Sequence, residues 1–231
     1  MLSVISLDFG GTLACEVKEE YYAFHEILRE LGYAVEVEEV REALSIAWNL
    51  WLQEKAETGK VWSEEALKGV IRRILRQVGA PASDELVLRA AELYPHKLEF
   101  KAYPDAEPTL KKLKQKEKYK LIVISNASSQ RNVEIYLENL GLKHYFDLII
   151  VSGTIGYEKP DPKIFHAAAE MLDVKPEEML HVGDDYEADY LGAISAGLKG
   201  VLIDRKDVHK GKQCTRIKEL TELIGLLNEL K

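Results

Sequence analysis

The chain has 231 residues, and 31 Lys and Arg against 39 Asp and Glu give it a formal net charge of -8. That acidity speaks against nucleic acid as a partner, because binding a phosphate backbone needs a concentrated basic surface. No segment approaches the roughly 18 apolar residues of a membrane span and no secretory leader is recognised. Cys15 and Cys214 form no CxxC or Cys/His cluster, so a reduced, cytoplasmic protein without membrane contact is expected.

In chain order, the first run is "VISLDFGGTL" at 4–13, apolar until Asp8 and then closed by two glycines and Thr12. Residues 14–101 carry helical periodicity almost throughout, in "EYYAFHEILRELG", "EVREALSIAWNLWLQEKAETG", "SEEALKGVIRRILRQVG" and "SDELVLRAAELYPHKL". Ser63 and Ser83 precede acidic residues as N-caps, and Gly32, Gly59 and Gly79 mark helix ends. Trp48, Trp51 and Trp62 all fall in this block, where aromatic rings pack the core of a small bundle. From 102 onward the pattern alternates. Strand-like runs at 120–126, 146–153, 178–184 and 199–204 are separated by amphipathic stretches, among them "DYLGAISAGL". The basic run "LKKLKQKEKYK" at 110–120 reads as the exposed face and C-terminal turn of a helix. The closing "IKELTELIGLLNEL" at 217–230 reads as an amphipathic helix packed back on the core.

Alternation of this kind is the signature of a parallel sheet with crossover helices. The expected fold is an α/β, Rossmann-like parallel sheet, residues 1–13 and 102–231, with an all-helical domain, residues 14–101, inserted after its first strand.

Ligands of open parallel sheets bind outside the carboxyl ends of the strands. There the chain places Asp8 after the first strand, Ser125 and Asn126 after the second, and Gly183, Asp184 and Asp185 after the fourth. The loop after the third strand, "TIGYEKPDP", carries Lys159. Each alone is an ordinary turn or cap residue. Together they crowd carboxylates at one edge, where each raises the other's pKa unless a cation is present. Mg²⁺ suits such a set, because it takes a few carboxylate and carbonyl oxygens and keeps its other positions for water and phosphate.

"DFGGTL", "ISN", "EKPDP" and "VGDDYEAD", in that order, resemble the four motifs of the haloacid dehalogenase-like hydrolase superfamily, and the helical insert resembles the cap of its first subfamily. The resemblance implies that Asp8 is a nucleophile attacking phosphorus, and that Ser125 and the Asn126 backbone hold a phosphoryl oxygen. It makes Thr12 a support of the nucleophile loop and Lys159 the cation that neutralises Asp8 and the transferred group. Mg²⁺ would be bound by Asp8, the carbonyl of Gly10 and Asp184, with Asp185 and Asp189 behind them.

One position departs from the family's phosphatases. Where they read D-x-D-G-T, with the second Asp as general acid and base, this chain has Gly10. Three readings follow: a Mg²⁺-dependent phosphatase of small phosphorylated metabolites, slow on poor leaving groups; a 2-haloacid dehalogenase-type hydrolase, whose halide needs no proton; or a phosphometabolite-binding protein with little turnover. The retained Asp184 and Asp189 favour the first. In the helical insert, Tyr21 and His25 are the candidate substrate contacts, and a monomer or homodimer is expected.

Overall fold

The computed structural model describes residues 2–229. The chain divides into two compact units, one made of the segment up to Cys15 and from Lys101 onward, the other of Glu16–Phe100.

The chain opens on β1 (Val4–Leu7), buried at every residue, and then reaches β2 (Ala14–Glu16). Four helices follow: α1 (Glu20–Glu30), α2 (Val37–Thr58), α3 (Glu64–Gln77) and α4 (Asp84–Lys97). The chain returns on β3 (Phe100–Ala102), which pairs with β2 in a two-stranded sheet. The helices bury one shared apolar cluster, including Phe24, Ile27, Leu44, Trp51, Ile71, Ile74 and Val87. The Trp62 ring lies tilted against those of Trp48 and Trp51, at 4.6 and 5.6 Å between centroids, and the three tryptophans pack in or against the bundle core as expected. Ser63 and Ser83 cap α3 and α4 by accepting from the backbone of Ala66 and Leu86, both at 3.3 Å. Gly59 ends α2 in the left-handed conformation, φ 69°, which costs glycine no Cβ strain.

The other unit continues with α5 (Ala106–Gln115), β4 (Lys120–Ser125), α6 (Gln130–Asn139), β5 (Leu148–Val151) and the short α7 (Ser152–Ile155). It ends with α8 (Pro162–Leu172), β6 (Met179–Gly183), α9 (Gly192–Ser195), β7 (Lys199–Ile203), β8 (Arg216–Ile217) and α10 (Leu223–Glu229). Six strands form a sheet in the order β5-β4-β1-β6-β7-β8, and every pairing in it is parallel. This is the α/β parallel-sheet fold that the alternating pattern implies. β1 lies at the centre, with Leu7 opposite Val123 of β4 and Val182 of β6. The chain crosses from one side of β1 to the other after β5, so the carboxyl end of β1 is the switch point where ligands of such sheets bind.

Three local expectations change. The run at 146–153 leaves the sheet at Val151 and winds into α7. The stretch before α9 is wound as a π-helix over Tyr186–Leu191, a wide turn that carries Asp189. The expected C-terminal helix at 217–230 begins only at Leu223, because Arg216 and Ile217 extend the sheet beside Leu202 and Ile203. Arg216 is drawn there by the buried Asp204, to which its Nη1 donates at 2.8 Å. Leu230, the last residue of that expected helix, lies outside the described residues. Among the described residues, no helix is long and apolar enough to cross a membrane.

Candidate active site

Asp8 follows β1 directly and is buried. The ammonium of Lys159, also buried, donates to Asp8 Oδ1 at 2.7 Å, Asp189 Oδ1 at 2.5 Å and the carbonyl of Ile124 at 2.9 Å. All three of its N–H donors are thereby used. The loop holding Lys159 is fastened by Asn126: its Nδ2 donates to the Lys159 carbonyl at 2.9 Å, and its Oδ1 accepts from the Lys159 N–H at 2.8 Å. Ser125, the last residue of β4, is buried on the same edge.

Asp184 and Asp189 come from the segment after β6. One carboxylate oxygen each from Asp8, Asp184 and Asp189 lie within 4.8 Å of one another. Two glycines make the room. A Cβ on Gly11 would fall 2.1 Å from Asp184 Oδ2, and one on Gly183 would fall 2.1 Å from Asp189 Cγ. Asp185 caps the π-turn, accepting from the N–H groups of Glu187 and Ala188 at 2.8 and 2.7 Å, while its own N–H donates to Asp189 Oδ2 at 3.0 Å.

Three carboxylates face one ammonium, and the balance of charge is uneven. Burial, opposed in part by Lys159, raises the Asp8 carboxyl to about 6. Burial, with Asp189 adding to it, also raises Asp184 to about 6. Asp189 shifts the other way: burial disfavours its charge, but Lys159 and His181 more than reverse this and hold it well below the usual carboxylate range. Burial works against the Lys159 charge as well, yet Asp189 and Asp8 keep its pKa above the usual lysine range. An oxygen-only donor set with surplus negative charge suits a hard divalent cation.

Gly10 is exposed, and a Cβ there would meet nothing within 4 Å. Thr12 is buried, its Oγ1 has no hydrogen-bond partner among the described residues, and its carbonyl accepts from Arg205 Nη2 at 2.8 Å. Tyr21 and His25 lie on α1 in the helical unit, Tyr21 with its ring 4.4 Å from that of Tyr22.

Two contributors are absent from the sequence-based set. His181, wholly buried in β6, faces Asp189 Oδ1 through Nε2 at 3.1 Å and Ser6 Oγ through Nδ1 at 2.9 Å. Burial lowers its pKa. Because ionised Asp189 only accepts, Nε2 carries a proton in that contact. The signal was a histidine inside the apolar run "MLHVG", a polar group that must find a partner. Arg205 follows β7 and reaches the loop after β1 from 194 residues away in sequence, with no local pattern to announce it.

A model of the haloacid dehalogenase-like hydrolases matches residues 2–197. Glyceraldehyde 3-phosphate phosphatase of Methanopyrus kandleri is 41% identical over 135 residues, 57% of this chain and 57% of that protein. Ribulose-1,5-bisphosphate 5-phosphatase of Halopiger xanaduensis is 32% identical over 178 residues, 76% of this chain and 72% of its own length. Among solved structures, a 2-haloacid dehalogenase from Pseudomonas syringae pv. tomato aligns over 100% of both chains with a TM-score of 0.77 at 22% identity, a likeness of fold. The chain spans about half the length of the curated relatives it first matches, 57%, 38% and 56% of them. The four strand-end motifs and the match over most of the chain have one meaning: the protein belongs to the haloacid dehalogenase-like hydrolase family.

Proposed function

We propose that the protein is a Mg²⁺-dependent phosphatase of small phosphate monoesters, acting through a phosphoryl group carried transiently on Asp8. The observation that carries this reading is the buried Asp8–Lys159 pair with Asp184 and Asp189 gathered at the same edge. The named relatives, phosphatases of small phosphorylated compounds, support the substrate class.

Lys159 binds Asp8 Oδ1 and leaves the second carboxylate oxygen to attack phosphorus. A bond forms from Asp8 to phosphorus as the ester P–O bond breaks, and water then attacks the same phosphorus to release phosphate and restore the carboxylate. Ser125, at the end of β4, is assigned to a phosphoryl oxygen, and Lys159 offsets the charge that builds there. Asp8, the Gly10 carbonyl and Asp184 would hold Mg²⁺, with Asp185 and Asp189 behind, and the ion when bound would neutralise phosphoryl charge. Asp189 holds Lys159 in place, and His181 holds Asp189.

Gly10 supplies no proton to the leaving oxygen. Positioned proton transfer is worth about 10²- to 10⁴-fold, so esters whose leaving group is already a stable anion are the preferred substrates. The helical unit is assigned the role of a substrate-selecting cap, with Tyr21 and His25 as its contacts.

The test is hydrolysis of p-nitrophenyl phosphate by the wild type and by Asp8→Asn, each with Mg²⁺ and with a chelator. Turnover that needs both Asp8 and Mg²⁺ is expected. Silence toward phosphate esters with metal-independent hydrolysis of 2-haloacids would overturn the proposal, as would binding of phosphate esters without any turnover.

A further inference from the structure

Arg205, which none of the motifs names, gathers the surroundings of the nucleophile loop. Its Nε donates to the Gly11 carbonyl at 3.3 Å and its Nη2 to the Thr12 carbonyl at 2.8 Å. The other side of the guanidinium grips Asp105, Nη1 to Oδ2 at 2.8 Å and Nη2 to Oδ1 at 3.0 Å. Its central carbon lies 3.8 Å from the centroid of the Tyr103 ring. Asp105 is itself anchored, accepting from the Leu220 N–H at 2.7 Å. A planar fork with five donors, held by a carboxylate and a ring, is pre-organised in a way a lysine is not.

The two carbonyls it holds are those of the residues right after Gly10. Gly11 adopts φ 70° and returns its N–H to the Ala14 carbonyl at 2.8 Å, so the loop folds back sharply and turns consecutive carbonyls toward Arg205. This peptide is also the one that passes Asp184 with no space for a Cβ. Arg205 and Asp184 line one cleft of about 190 Å³ together with Gly11 and Tyr103. The Gly11 peptide and Asp184 therefore share space that leaves no room for a side chain between them, and the Gly10 carbonyl belongs to the peptide bond that enters Gly11.

We infer that Arg205 is a positioning residue: through the Gly11 and Thr12 carbonyls it sets the backbone of the nucleophile loop against Asp184. It touches no reacting atom, and its effect is on geometry. The consequence for turnover rests on Asp8 being the nucleophile, as proposed above; the consequence for the loop does not. Small errors of placement at a reacting centre cost about 10²-fold in rate.

Three variants of the full chain test it. Arg205→Met removes all donors, Arg205→Lys keeps the charge for Asp105 but cannot span both carbonyls, and Asp105→Asn still accepts from Leu220 while loosening the fork. Amide hydrogen exchange over residues 9–14 is the readout that needs no turnover, with exchange elsewhere and the thermal midpoint as controls for folding. Faster exchange in that segment is expected in Arg205→Met and Arg205→Lys, with a smaller gain in Asp105→Asn. On p-nitrophenyl phosphate, kcat is expected to fall about 10- to 100-fold in Arg205→Lys with KM changed less than about 3-fold, and added methylguanidine to restore part of the Arg205→Met rate. Wild-type exchange at 9–14 in both Arg205 variants would overturn the inference whatever the activity. So would wild-type kcat in Arg205→Lys. A wild-type protein whose turnover ignores Asp8 would instead overturn the proposed function and leave the exchange result standing.

Discussion

Gly11 and Asp184 occupy adjoining space that admits no Cβ: one built on Gly11 would lie 2.1 Å from Asp184 Oδ2 and 2.3 Å from its Cγ. Gly11 also holds φ 70°, which costs a residue with a Cβ about 1–2 kcal/mol. Its neighbour Gly10 has neither constraint, with open space where a Cβ would go. Gly11→Ala is therefore expected to displace the Asp184 carboxylate, abolish the proposed phosphatase turnover and remove the rise in thermal midpoint expected of the wild type with Mg²⁺. Gly10→Ala is expected to keep both. Equal behaviour of the two variants would show that the close approach has no bearing on the site.

The open space at Gly10 permits the reverse experiment. Gly10→Asp is expected to fold with an unchanged thermal midpoint and to place a carboxyl where a leaving oxygen can take its proton. The gain should grow with the basicity of the leaving group, towards the about 10²-fold or more that positioned proton transfer supplies for alkyl phosphates, and should be small for aryl phosphates. A plot of log kcat/KM against leaving-group pKa measures this directly. An unchanged slope would mean that the new carboxyl does not reach the leaving oxygen.

Apolar runs closed by polar residues carried the parallel sheet, and its strand ends carried Asp8, Ser125, Asn126 and Asp184, because a buried strand must change composition where it meets solvent; Lys159 was legible in the loop after the third strand, and Asp189 only through the motif resemblance. What stayed hidden depends on tertiary partners. Ile217 reads as the start of a helix, and only the free edge of β7, with Arg216 held by the buried Asp204, makes it part of a strand. Asp185 reads like its neighbour Asp184, yet it caps the turn while Asp184 faces Asp8. The Arg205 contacts cross from one end of the chain to the other, and no local periodicity encodes such a pairing.

Lys159 balances two buried carboxylates, and removing it leaves both without a cation. Breaking a buried ion pair from one side typically costs about 3–5 kcal/mol, because the stranded charge keeps its desolvation penalty. Lys159→Met is expected to lower stability by about that much in urea unfolding without Mg²⁺ and to leave no measurable turnover. The pairing of Lys159→Met with Asp189→Asn should recover part of the stability, since one stranded charge is gone, but none of the activity. A double variant no more stable than Lys159→Met would place the loss in packing.

The helical unit holds its own half-buried acid. Glu20, at the start of α1, accepts from Trp48 Nε1 at 2.8 Å and from the Tyr94 hydroxyl at 2.6 Å, and burial still raises its pKa above the ordinary 4.5. The folded protein then keeps this proton to a higher pH than the unfolded chain does. Below about pH 4.5 both states are protonated and the stabilising contribution is complete; as pH rises through the folded pKa, a half-buried acid must ionise and that contribution is lost. Glu16, raised by burial and by Glu20 itself, acts in the same direction. The comparison with Glu20→Gln, which cannot ionise, isolates the residue. The thermal midpoint of the wild type relative to Glu20→Gln is expected to be highest near pH 4 and to fall toward pH 8. A difference that stays flat across that range would mean that Glu20 ionises equally easily in both states and that the Trp48 and Tyr94 bonds offset its burial in full.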